Sequence, residues 1–155
     1  MQMRFPRDSG AAHPGQCIRA TRPGDGMELT KTDHRFELRS GDDLIEVILE
    51  PDFHVTMSTM MELWKDVLEL GRRLGIHRVL IEGRGFTREM RPIDAYRHGS
   101  FLAQLEPPGL RVALCFYDFE PDVVSWMFTR TANAGPSAVE YFRNLDDALR
   151  WVRLR

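Results

Sequence analysis

The chain reads as an α/β protein with a mixed, mostly parallel sheet of about five strands and four helices, in the order β-β-α-β-α-β-α-β-α. Three observations predict this. Two apolar runs, Val79-Leu80-Ile81 and Leu110 to Tyr117 (polar only at Arg111), suit strands covered on both faces. Each run gives way to a loop and then to helical spacing, beginning near Pro92 and Pro121, where a proline suits a first helical turn. A hairpin pattern precedes both, which makes the sheet mixed. Strand–helix–strand repeats require right-handed crossovers and a mostly parallel sheet.

The hairpin comes first. Phe36 and Leu38 alternate with Glu37 and Arg39, Ser40-Gly41-Asp42-Asp43 supplies turn chemistry, and Leu44 to Leu49 returns, ended by Pro51. The spacing then predicts a helix over 57–74. Its apolar stripe is Met57, Met60, Met61, Trp64, Val67, Leu68, Gly71 and Leu74, with acids and arginines opposite. Thr59 with Glu62 fits a capping box, Thr56 is an alternative N-cap, and Gly75 fits a left-handed C-cap. The central strand ends at Gly83-Arg84-Gly85. A second helix runs from Pro92 to about Leu105, with Ile93, Tyr96, Phe101, Leu102 and Leu105 as apolar marks; Gly99 and Ser100 imply irregularity or close packing. Glu106-Pro107-Pro108-Gly109 breaks it. A third helix covers about 121–133, Ala138 to Phe142 is a short strand, and Asn144 caps a last helix with Asp146 and Asp147 in its first turn. Its buried face is Leu145, Ala148, Leu149 and Val152.

Residues 1–30 carry three prolines and four glycines without periodicity, and read as a disordered tail or an over-extended gene start, with Met27 as an alternative start. One domain then covers 31–155. A net charge of −2 gives no reason to expect nucleic-acid binding, and only Lys31 and Lys65 of the 21 basic residues are lysines. No apolar run reaches the ~20 residues of a membrane span, and no signal-peptide core is present. Cys17 and Cys115 do not suggest a disulfide, so a cytoplasmic setting is expected.

Motifs for chemistry are absent. Gly83-Arg84-Gly85 begins like a dinucleotide loop, but Arg88 stands where the third glycine belongs. The five histidines show no metal-ligand spacing, Gly-x-Ser-x-Gly is missing, and no cofactor is implied. Asp118 and Glu120 follow a strand end, where acids serve α/β enzymes, but helix capping ahead of Pro121 explains them more simply. Two candidate sites remain. Arg84, Thr87, Arg88, Arg91 and Arg97 form an arginine-rich stretch suited to an anion or a docking partner, against the simpler reading of a solvated loop paired with nearby acids. Tyr96, Phe101, Trp126 and Phe128 are candidates to line an apolar pocket, with core packing as the alternative.

The stretches Met60 to Leu68, Arg78 to Arg84, Thr131 to Gly135 and Val139 to Trp151 together resemble the STAS-like fold of anti-sigma-factor antagonists. The likeness covers about 35–153 and is nearest to small, STAS/lipid-transfer-like bacterial proteins. The resemblance implies a non-enzymatic regulatory or interaction domain, with a protein partner, as a monomer or homodimer. In antagonist members an Asp-Ser-Ser/Thr-Gly loop is phosphorylated; the matching loop here is Glu82 to Glu89, where Thr87 is the nearest hydroxyl and the Asp-Ser pair is missing. The alternative expectation is a binder of a small apolar or anionic, lipid-like ligand.

Overall fold

A computed structural model describes residues 28–32, 35–105 and 109–154. Six strands make one sheet in the order β1 (Glu28–Thr32), β2 (Phe36–Ser40), β3 (Ile45–Leu49), β5 (Arg78–Gly83), β7 (Arg111–Phe116), β8 (Ala138–Phe142). The two-residue strands β4 (His54–Val55) and β6 (Thr87–Arg88) pair separately and in parallel. Pairing within the main sheet is antiparallel across β1–β2–β3 and parallel across β3–β5–β7–β8. The α/β class, the mixed and mostly parallel sheet and the four helices are therefore as the sequence predicts. The difference is at the start. The sheet takes in Glu28–Thr32, so the expected boundary at residue 30 falls inside an edge strand, and residues 1–27 lie outside the described residues.

The helices are α1 (Met57–Leu74), α2 (Pro92–Ala103), α3 (Val123–Ala132) and α4 (Leu145–Val152). Side chains alternate across each strand, and here the alternation sorts by size. Val79, Ile81, Val112, Leu114 and Phe116 face the core shared with α1, α2 and α3. Leu80, Ala113 and Cys115 face α4, whose Ala148 and Val152 are buried against them. Three helices thus cover one face and one short helix the other.

Local chemistry explains the helix ends. Thr56, not Thr59, is the N-cap of α1; it accepts from the Thr59 amide at 3.2 Å, while the Thr59 hydroxyl accepts from the Thr56 amide at 2.9 Å. Gly75 takes the left-handed conformation (φ 69°) that closes α1. Asp122 rather than Asp118 or Glu120 caps α3, accepting from Val124 and Ser125. Asn144 caps α4 in the same way.

Candidate functional site

Beneath α2 and α3, at the C-terminal ends of the parallel strands, lies a partly open cavity of about 50 Å³. Strand ends supply Leu49, Ile81, Leu114 and Phe116; helices supply Met60, Trp64, Val124 and Phe128; the loop around β6 adds Phe86 and Met90. This is the side of an open parallel sheet where ligands bind. The β4–β6 pair is one wall. Val55 and Arg88 line the cavity, whereas His54, Thr87 and Glu89 are exposed. Backbone bonds from Thr87 to Phe53 (3.0 Å) and from Glu89 to Val55 (2.9 Å) hold that wall in place.

The lining is apolar apart from two polar positions. The first is His98. It is buried, its ring stacks on Phe128 at 4.5 Å, and Trp64 Nε1–H donates to its Nε2 at 2.5 Å. A bond accepted at Nε2 requires the neutral ring, and burial pushes the imidazole down to about 4. The second is a cluster at the rim. Arg88 Nη1 donates to Ser125 Oγ at 3.0 Å, Arg88 Nη2 pairs with Asp122, and the guanidinium lies 5.2 Å from the Phe119 ring centre. Burial alone would raise the Asp122 carboxyl, but the Arg88 guanidinium and the Ser125 amide hold it down at about 2. Tyr141 brings its phenol to the same place; burial raises it to about 12, and Ser125 and Arg88 oppose that rise.

The residues singled out from the sequence are divided by the fold. Phe128 lines the cavity. Phe101 packs, partly buried, on the main core. Tyr96 and Trp126 are a correction: they are exposed and share a shallow outer groove between α2 and α3 instead of the inner pocket. The arginines are also separated. Arg84 stacks over the Tyr117 ring at 3.9 Å, Arg88 turns into the cavity rim, Arg91 chelates Asp94 through Nε (2.9 Å) and Nη2 (3.2 Å), and Arg97 is exposed on α2. Thr87 is exposed and lies 2.6 Å from His54 Nδ1, whose Nε2 is 3.1 Å from Glu89. These three exposed groups fasten β4 to β6. Asp118 accepts from the Gly85 amide at 3.1 Å and Glu120 pairs with Arg143, so both acids already serve the loops.

Comparison with protein-family models, with curated proteins and with solved structures returned no match. The site is therefore read from its own geometry.

His98, Trp64, Ser125 and Tyr141 are the residues that sequence reasoning missed as site residues. His98 had one signal: it shares a helical stripe with Ala95, Gly99 and Leu102, all buried. Arg88 was found through the arginine-rich stretch, and the structure places it at the cavity rim. Among the described residues no group of three or more His, Cys, Asp or Glu side chains is arranged to hold a metal ion.

Proposed function

We propose that this protein binds a small, largely apolar molecule carrying one hydrogen-bond-accepting group, such as a carboxylate or carbonyl. The observation that carries the reading is the apolar cavity with a polar cluster at one rim. Such pockets are mostly apolar, with a few placed polar groups that fix orientation. Arg88 and the Tyr141 phenol would hold the acceptor, with Ser125 bridging Arg88 and Asp122 behind them; the aromatic walls would hold the hydrocarbon. The volume suits about four heavy atoms without rearrangement. Left empty, it costs on the order of 1 kcal/mol of stability, which a ligand would restore.

The STAS-like resemblance rests on the sequence stretches that carry it, and within it the ligand-binding alternative stands ahead of protein docking. The docking reading is less well supported because Arg84 and Arg91 are engaged within the chain and Arg88 turns to the cavity rim.

Native mass spectrometry of gently purified protein tests the proposal. The expected result is a small extra mass that disappears on denaturation. Val124→Phe, which fills the cavity from its partly buried α3 wall, should remove that mass without lowering the melting temperature. A series of short monocarboxylates should stabilise the parent by about 2.7 kcal/mol at a hundredfold excess over the dissociation constant. A clean protomer mass, with no stabilisation by any member of the series, would overturn the proposal.

A further inference from the structure

The outer face of α2 and α3 carries more apolar surface than a solvated helix pair needs. The buried positions of α2 are Ala95, His98, Gly99 and Leu102; those of α3 are Ser125, Phe128 and Ala132. Four further large side chains point out: Val123 is 65% exposed, Trp126 54%, Tyr96 51% and Ile93 47%. One helix placing a tryptophan in water is unremarkable. Two neighbouring helices doing so on the same face make a contiguous patch, and such patches mark interaction sites.

The two helices form one block. A Cβ on Gly99 would sit 2.6 Å from the Phe128 carbonyl oxygen, and one on Gly135, just past α3, 2.3 Å from that of Ala103. Backbone therefore touches backbone, with residues 99 and 103 of α2 beside 128–132 and 135. The helices run side by side in the same direction. Ile93 and Tyr96 on one thus match Val123 and Trp126 on the other, with Arg97 one turn beyond Ile93 and Arg130 one turn beyond Trp126.

Charge completes the description. The acids at the starts of these helices are neutralised, Asp94 by Arg91 and Asp122 by Arg88. Arg97 and Arg130 are exposed, and the Arg130 guanidinium lies 5.1 Å from the Trp126 ring centre. The face is thus positive on a chain whose net charge is −2. Both helices also begin at the apolar end of the patch, adding the positive ends of their dipoles.

We propose that this face docks on an anionic lipid bilayer. Trp126 and Tyr96 have the amphipathic rings that settle at a membrane interface, Ile93 and Val123 add apolar insertion, and Arg97 and Arg130 reach lipid phosphates. The surface goes beyond the cavity's ligand reading and stands or falls separately from it.

Flotation of the full chain with phosphatidylcholine vesicles, with and without phosphatidylglycerol, tests the proposal. The expected result is flotation with the anionic vesicles only, weakened by salt. Arg97→Gln combined with Arg130→Gln should weaken binding roughly thirtyfold. Tyr96→Ser combined with Trp126→Ser should abolish it. All four side chains are exposed, so both double variants should melt where the parent does, which separates loss of docking from loss of fold. Absence of flotation with anionic vesicles, or equal flotation of parent and variants, would overturn the proposal. So would a concentration-dependent dimer that Trp126→Ser dissolves while vesicles stay unbound, because the face would then join two copies of the chain.

Discussion

Acid should unfold this protein early, and His98 should be the reason. The imidazole is buried and neutral, accepts from Trp64 and stacks on Phe128. Its pKa is lowered by burial from 6.5 to about 4. In the unfolded chain the ring returns to its ordinary value. Between the two values the unfolded state binds the proton and the native state does not, so falling pH favours unfolding. The stability held by the neutral ring is fully present above pH ~6.5 and is lost progressively down to pH ~4. A gap of roughly 2.5 pH units corresponds to about 3 kcal/mol, a large part of a small domain's stability. The assay is urea unfolding from pH 8 to pH 4, with the parent compared against His98→Gln, which keeps an acceptor for Trp64 but does not titrate. The variant should start less stable and lose less as the pH falls, so the two curves converge. Parallel curves would refute the reasoning, because the acid sensitivity would then arise from other groups.

Other perturbations probe the frame around the site. Leu114→Ala should cost ~2–5 kcal/mol in urea unfolding, because Leu114 lies buried on a central strand and lines the cavity; a cost near zero would place the strand at an open edge. Gly99→Ala should destabilise despite alanine's better helix propensity: overpacking against Phe128 and Thr131 costs ~1–3 kcal/mol and the propensity gain returns at most about 1 kcal/mol, so a stabilised variant would show that α2 and α3 can part. Asp122→Ala removes both the α3 cap and the anchor of Arg88, and should lower stability by ~0.5–2 kcal/mol at neutral pH by the same measurement; an unchanged midpoint would show the cap and tether to be dispensable.

The frame was legible where periodicity and punctuation agreed. Helix α1 shows why: its stripe recurs at three and four residues, Thr56 can cap its start and Gly75 its end, so pattern and caps point to one answer. The strands β5 and β7 were legible for a different reason. Their apolar runs are continuous because both faces are covered. The strands β4 and β6, two residues each, are too short for any period to show. Glu28–Thr32 has one apolar residue in five, as an edge strand can, and read as part of a tail.

The site was hidden by its composition. Reading α2 and α3 for large apolar residues finds Leu102 and Phe128, which are buried, together with Ile93, Tyr96 and Val123, which are exposed, because that pattern does not say which apolar residue meets the core. Beside Leu102 and Phe128 the inner faces use small and polar residues. Gly99 and Ala132 let the helix backbones meet, while His98 and Ser125 supply the hydrogen bonds of the cavity wall. The outer faces, in turn, leave Tyr96 and Trp126 exposed. The two departures belong to the same pair of helices. That coincidence is the strongest argument that α2 and α3 serve a function on both of their faces: a ligand within and a surface without.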